Sequence, residues 1–382
     1  MLIATVEVLR YAAGGNCVAR HDGRVLFVRG VIPGEKVEVE IEDFNSSKRY
    51  SMAKLLNIIE PSPLRIEPAC KYFGMCGGCD WQHIDLAEQK RMHLFVLSDQ
   101  LSRIGKLEIE PNPVVAVADE TGFGYRTRMR FAVSDNGNLA MRQIRSNELV
   151  EIDHCLIASE KIDEVTKSHW PPGSEVTITQ GADEVLVLTE RVGAPEITYR
   201  NKFGEWRAPA GEFWQVHQMA PEILISQVLS MLQPSPGDVI ADLYSGVGLF
   251  AQPIAKIVTE AGSVVAVEFD QPAHLSAIKN LSQFPWATAI NSDVAQYLKS
   301  ANGFSKAVVD PPRAGLNKSV ITSLSNMASL HTLCYVSCDS GTLARDLRDF
   351  VDLGWQIESV QPILLFPMTS HLEAVVSLSK LS

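Results

Sequence analysis

A chain of 382 residues exceeds the usual domain of about 100–200 residues, and with 46% apolar and 21% charged residues it reads as a globular protein of two or three domains, which excludes a small binding module and wholesale disorder. The formal net charge of −11 disfavours non-specific coating of nucleic acid, which depends on neutralising phosphates, while leaving room for a local basic face. Apolar runs such as VVAV at Val264–Val267 fall far short of the roughly 18–20 residues that span a bilayer, and the N-terminal MLIATVEVLRYAAGG lacks the features of a secretory signal, so a cytoplasmic protein without membrane association is expected.

Residues 1–60 alternate apolar and polar positions in TVEVLR, RVLFVRG, EKVEVEIE and AKLLNIIE, separated by turn signals at Gly14-Gly15, Asp22-Gly23 and Pro33-Gly34, which predicts a small antiparallel barrel. Pro61, Pro63 and Pro68 then break the chain and mark a domain boundary near residue 61. In CKYFGMCGGCD, Cys70, Cys76 and Cys79 are separated by five and then two residues, and Cys155 follows far downstream in IDHC. In a reducing compartment these thiols are not disulfide partners; such a set holds zinc or an iron–sulfur cluster, and the five-then-two spacing with one distant cysteine favours a [4Fe–4S] cluster over the closer pairs of zinc sites. Gly77 and Gly78 give the loop the backbone freedom that ligation requires.

From Asp85 to Ile104 the apolar residues Leu86, Met92, Val96, Leu97, Leu101 and Ile104 predict an amphipathic helix. Between Thr121 and Arg145, Arg126, Arg128, Arg130, Arg142 and Arg145 face a single acid, Asp135, a pattern that suits a solvated sheet surface or an RNA-facing one equally. Strand patterns, including RMRFAV, EVTITQ and EVLVLTE, continue to Arg207.

After Gln215 the chain alternates helix-like and strand-like segments: APEILISQVLSMLQ, DVIADLY, FAQPIAKIV, SVVAVEF, KAVVD, TLCYVSC and a terminal EAVVSLS. This order implies a parallel sheet with crossover connections. In DLYSGVGLFA, Gly246 and Gly248 stand where a strand turns into a helix and let the backbone approach a ligand, and Glu268 ends the next strand, where a carboxylate can accept from ribose hydroxyls. A dinucleotide and S-adenosylmethionine both satisfy these features. Asp293 in NSDVAQYL and Asp310 in DPPR add carboxylates at successive strand ends, and a nicotinamide enzyme has no need of DPPR, so the methyl donor is favoured. Cys338 in YVSCDSGTLARDL lies between a strand and a helix, where a thiol is expected to have a lowered pKa and to act as a nucleophile, or else is one more buried cysteine like Cys334. Glu373 in HLEAVV reads by itself as an ordinary acid at a strand edge.

GRVLFVRGVIPGEKV, CKYFGMCGGCDWQH, FWQV, DLYSGVGLF, VVDPPRAGL, VSCDSGTLARDL and HLEAVV occur in one order over essentially the whole chain, which thereby resembles the RNA 5-methyluridine methyltransferase family, in its iron–sulfur branch with an N-terminal TRAM barrel. The resemblance implies an α/β protein: a TRAM (OB-like) β-barrel over 1–60, a central β-rich iron–sulfur and RNA-binding domain over 61–207, and a Rossmann-like S-adenosylmethionine methyltransferase domain over 208–382, with the helix near 85–104 a candidate to pack on the last. It makes Cys338 the nucleophile and Glu373 the base that removes the carbon 5 proton. Gln215, Tyr244, Gly246, Glu268, Asp293 and Asp310 would contact S-adenosylmethionine, Asp310 also lying near the target base, and Cys70, Cys76, Cys79 and Cys155 would ligate the cluster. His217 departs from the frequent Asn after FxQV, and Asp339-Ser340 replaces a frequent Asn-Pro. The implied partner is RNA, with ribosomal favoured over transfer RNA, and no obligate protein partner is evident. The competing readings are the same chemistry on tRNA, an iron–sulfur oxidoreductase using a nicotinamide, and a non-catalytic RNA-binding protein, the last opposed by the intact Cys338 and Glu373.

Overall fold

The computed structural model describes residues 2–43, 49–116, 121–144, 146–189 and 193–380. Strands Leu2–Ala12 (β1), Asn16–His21 (β2), Arg24–Arg29 (β3), Lys36–Ile41 (β4) and Tyr50–Glu60 (β5) form a closed barrel in the order β1-β2-β3-β5-β4. Period-two burial fills it: Ala4, Val6 and Val8 face inward from β1, and Val37, Val39 and Ile41 from β4. The expectation of a wholly antiparallel barrel is corrected at one seam, where β3 pairs with β5 in parallel. The connection through β4 makes this possible, because it returns the chain to start β5 at the same end as β3. Glu35, fully buried, accepts from Arg65 Nε at 2.6 Å and from Ser62 N at 3.1 Å, which binds the outgoing chain to the barrel.

The helix Leu86–Arg103 (α1) is started by Asp85, whose side chain accepts from Glu88 N. Met92, Leu97 and Leu101 are buried as the periodicity requires, but Ile104, expected on the same face, is the C-terminal cap and is 40% exposed. A short strand Val115–Ala116 (β6) follows. The central five-stranded sheet has the order β11-β10-β7-β8-β9, made of Arg128–Val133 (β7), Leu139–Arg142 (β8), Leu149–Glu151 (β9), Glu175–Gln180 (β10) and Val185–Leu188 (β11), with the helix Glu160–Val165 (α2) packed on β10 through Ile162. Of EVLVLTE, Glu190 lies outside the described residues, as does Arg145 of the arginine group.

A hairpin of Glu196–Asn201 (β12) and Gly204–Pro209 (β13) precedes the helix Ala220–Leu232 (α3). The alternating unit then runs Val239–Leu243 (β14), Ala251–Val258 (α4), Ser263–Glu268 (β15), Gln271–Leu281 (α5), Ala287–Asn291 (β16), Val294–Leu298 (α6), Lys306–Val309 (β17), Lys318–Asn326 (α7), Thr332–Ser337 (β18), Ser340–Asp352 (α8), Trp355–Leu364 (β19) and Glu373–Lys380 (β20). The eight-stranded sheet has the order β16-β15-β14-β17-β18-β20-β19-β6. Its central strands are buried on both faces: Ile240, Val308, Cys334 and Val336 lie on one side, and Ala241, Leu243, Val309, Leu333 and Tyr335 on the other. The parallel reading is corrected at the C-terminus, where β20 inserts antiparallel between β18 and β19. The order reverses between β14 and β17, and that switch point leaves a crevice at the carboxyl ends of both strands.

Two upstream segments belong to this core. Leu97 and Leu101 of α1 share a cluster with Leu343, Ala344 and Leu347 of α8, and Trp206 of β13 donates from Nε1 to Gly248 O at 3.1 Å. No helix among the described residues is long and apolar enough to cross a membrane.

Candidate active site

The glycine turn after β14 is built for close approach. Tyr244 (φ 64°), Gly246 (φ 54°) and Gly248 (φ 86°) all take left-handed conformations, which glycine adopts without the steric cost that Tyr244 bears. Glu268, at the end of β15, accepts from Gly246 N at 2.9 Å and from Asp270 N at 2.7 Å. Each of its oxygens keeps a second lone pair, so the carboxylate can still receive two hydroxyl donors. Asp293 caps α6 by accepting from Gln296 N at 3.1 Å, and its charge reaches Tyr244, whose phenol is pushed up to about 12 chiefly by burial. Gln215 is buried between β13 and α3, beside Val216, whose carbonyl accepts from Thr127 N at 2.7 Å.

Asp310, at the end of β17, is pushed up to about 7 by burial, with the Glu268 carboxylate adding to the effect. Asp242, fully buried on β14 and accepting from Ala251 N at 2.8 Å, is pushed up to about 8 by burial and then by Asp310 and Glu268; its Oδ1 has no partner among the described residues. Sequence reasoning did not single out Asp242, although DLYSGVGLF contains it. The crevice therefore concentrates carboxylates that repel one another, an arrangement that favours a positively charged ligand.

Cys338 follows β18 and lines a cavity of about 280 Å³ together with Arg313, Asp339, His371 and Leu372, His93 of α1, and Ala12–Gly14 of the barrel. The expected lowering of its pKa is overturned: burial, and then the carboxylates of Glu373 and Asp310, push the thiol up to about 11 against the opposing Arg313. The helix that was to activate it is already capped, since Asp339 accepts from Gly341 N at 3.0 Å and Thr342 N at 2.8 Å and places its own charge next to the sulfur. Glu373, 6% exposed at the start of β20, is pushed up to about 8 by burial and by Asp310, with Arg313 opposing. Arg313 and His371, within 3.5 Å of each other, stand in DPPR and HLEAVV, so they were inside recognised motifs without an assigned role. His217 is buried and stacked on Tyr125 at 5.1 Å; its Nδ1 accepts from Met219 N at 3.0 Å and its Nε2 has no partner among the described residues.

Cys70, Cys76, Cys79 and Cys155 all line one cavity of about 310 Å³ on the central sheet. Gly77 N donates to Arg142 O at 2.9 Å, which fixes the thiol loop to β8, and Cys155 N donates to Asp163 Oδ1 at 2.6 Å. Burial pushes Cys79 up to about 12 and Cys155 to about 11. Four thiols lining one cavity are a soft donor set of the kind that zinc or an iron–sulfur cluster takes.

The arginines divide by use. Arg128 donates to the carbonyls of Gly211, at 2.6 Å, and Glu212, and Arg130 pairs with Glu175, whereas Arg142 is exposed. Arg29, Arg130 and Arg142 line a groove of about 540 Å³ between the barrel and the central sheet.

The profile of the tRNA (uracil-5-)-methyltransferase family matches residues 294–381, and that of the TRAM domain residues 3–56. An uncharacterized RNA methyltransferase of Streptomyces coelicolor is 34% identical, with 98% of this chain and 92% of that protein covered. The 23S rRNA (uracil(1939)-C(5))-methyltransferase of Marinomonas posidonica is 30% identical, with 98% and 94% covered. The crystal structure of Pyrococcus abyssi tRNA (uracil-54, C5)-methyltransferase in complex with S-adenosyl-L-homocysteine matches with a TM-score of 0.75 at 22% identity over 98% of this chain and 99% of that one, a likeness of fold.

Proposed function

Since the chain belongs to the TRAM-containing uracil-5-methyltransferase family and is an S-adenosylmethionine-dependent RNA (uracil-5-)-methyltransferase, we propose that its target is a uridine of large-subunit ribosomal RNA, methylated through a covalent Cys338 adduct with Glu373 as the base. The observation that carries the catalytic assignment is the strand register that sets Asp310, Cys338 and Glu373 at one edge of three neighbouring strands: Asp310 and Cys338 directly follow β17 and β18, and Glu373 opens β20, whose Ala374 pairs with Ser337. Relatives named for 23S rRNA that align along nearly their whole length support the choice of RNA.

Carbon 5 of uracil is a weak nucleophile, so the ring is first activated covalently. Cys338 Sγ, as thiolate, adds to carbon 6; the enolate so formed uses carbon 5 to displace the methyl group from the donor sulfonium. Glu373 takes the carbon 5 proton, and elimination across the bond between carbons 5 and 6 returns the thiolate. The uridine must be flipped out of any stack to bring carbon 6 to the thiol. Gln215, Tyr244, Gly246, Glu268, Asp293 and Asp310 would hold the donor, the carboxylates favouring its cationic sulfonium. Cys70, Cys76, Cys79 and Cys155 would hold a [4Fe–4S] cluster whose role is to order the surrounding loops, because full cysteine ligation leaves no open iron site and the reaction transfers no net electrons.

Nucleoside mass spectrometry of rRNA and tRNA from a deletion strain tests the target. Loss of 5-methyluridine from 23S rRNA alone is expected, and loss from tRNA alone overturns the rRNA reading. Cys338→Ala is expected to bind the donor normally and transfer no methyl; appreciable turnover would remove Cys338 from its role.

A further inference from the structure

We propose that Asp80 is a positioning residue for proton removal: it ties the loop that leads into Glu373 both to the thiol loop and to the barrel. The inference rests on the reading of Glu373 as the base. Asp80 follows Cys79 directly. Its Oδ1 accepts from Arg29 Nη2 of β3 at 2.9 Å, and its Oδ2 accepts from both Ser370 N at 3.0 Å and Ser370 Oγ at 2.8 Å. The backbone repeats the connection, as Asp80 N and Trp81 N donate to Met368 O at 2.8 and 3.0 Å. From α1, Gln89 Oε1 accepts from Met368 N at 2.8 Å, while its Nε2 donates to Trp81 O at 3.2 Å and Ile84 O at 2.8 Å.

Met368 has φ 65°, a left-handed conformation that a residue with a side chain holds only where its surroundings over-determine it. The barrel closes over the junction: a Cβ on Gly15 would stand 3.2 Å from Asp80 Cγ and 3.3 Å from Ser370 Cβ. With Met368 and Ser370 pinned, only His371 and Leu372 separate the clamp from Glu373. Both of those line the Cys338 cavity, and Asp80 does not. Cys338 hangs from β18 on a different loop, so release of the clamp displaces the base and leaves the nucleophile where it is. Attack and methyl transfer then continue while proton removal slows, and the covalent intermediate builds up.

The test compares Asp80→Asn with Glu373→Gln, both as purified proteins carrying their cluster. Asparagine keeps an acceptor for Arg29 but turns an NH₂ toward the two donors of Ser370. We expect kcat to fall about tenfold with KM for RNA unchanged within about twofold, the scale of one lost charge-assisted hydrogen bond acting after binding. A protein–RNA adduct should accumulate on denaturing gels, and amide exchange across residues 366–372 should quicken by about tenfold. A rise in KM alone would make Asp80 an RNA contact, since it also borders the basic groove, and would overturn the proposal. Adduct with Glu373→Gln but not with Asp80→Asn would overturn it too. If Glu373→Gln itself yields no adduct, the base assignment fails, and unchanged exchange across 366–372 in Asp80→Asn then overturns the clamp independently. Should Asp80→Asn lose its visible absorbance, Ser370→Ala, which removes one of the two donors, is expected to show the same changes in smaller measure, and an unaltered Ser370→Ala protein would overturn the proposal.

Discussion

Under the proposed roles, two protonation states decide what Cys338 and Glu373 can do at neutral pH. Glu373 must be ionised to accept a proton, yet burial and Asp310 push it up to about 8, and Cys338 must be a thiolate, yet the same surroundings push it up to about 11. Both active forms become more populated as pH rises, so turnover should climb through about pH 8. The same shift is a statement about stability. Glu373 has an ordinary value of 4.5 and a folded value of about 8, so the folded protein holds the extra proton between them. Its contribution to stability is complete below about 4.5 and is lost as pH rises through about 8. Glu373→Gln removes this titration. Its melting temperature relative to the parent protein should therefore rise between pH 5 and 9, reflecting a few kcal/mol at about 1.4 kcal/mol per pKa unit. Thermal melts across that range check it, and a difference that does not vary with pH would show that burial does not hold Glu373 protonated.

At the level of elements, what the sequence revealed and what it concealed follow from the range of the interactions involved. Strands buried on both faces, such as AVV in β17 and CYV in β18, read directly as apolar runs, and the glycine turn between β14 and α4 was visible because it needs residues that tolerate positive φ. Strand β19 was not: WQIESVQPIL mixes polar and apolar residues, among the described residues its outer edge pairs with a strand only at Ile363 and Leu364, and Pro362 within it argues against a central strand. Its partner β6 is two residues long and lies far upstream, a pairing that no local pattern encodes. Cys338 was found through its motif, but its raised pKa comes first from burial and then from carboxylates brought in by β17 and β20, which no local pattern encodes. The four cysteines stood out by spacing, and they line one cavity, as the proposed cluster requires. Cys79→Ser should lose the broad visible absorbance of an iron–sulfur centre and fold less stably, because ligation and the ordering of the thiol loop are coupled. Metal and sulfide analysis checks this. Stoichiometric zinc without iron would replace the cluster by a zinc site, and strict dependence of methylation on added reductant would overturn its structural role.

Across the whole molecule, barrel, central sheet and catalytic unit converge on one small region. His371 lines the Cys338 cavity, the thiol cavity and the basic groove alike, so an RNA lying in the groove would pass both thiol-bearing sites. A net charge of −11 makes the location of the cations decisive, because a diffuse surface of that sign repels phosphate and only a local concentration can overcome it. Arg128 is committed to backbone carbonyls and Arg130 to Glu175. Arg142 is exposed at the end of β8 and donates from Nη1 to Asn147 O and Oδ1 at 3.4 Å each, long exposed bonds that it can exchange for a phosphate at little cost. If the groove is the RNA path, Arg142→Ala should weaken binding by a similar factor for target and unrelated RNA, since a phosphate contact carries no base information. It should also reduce the slope of log affinity against log salt by about 0.7, the release expected for one contact to a single strand. Fluorescence anisotropy with labelled RNA over a range of salt concentrations gives both quantities. An unchanged slope would place the RNA elsewhere, whereas a loss confined to the target sequence would make Arg142 a reader of bases instead of a phosphate anchor.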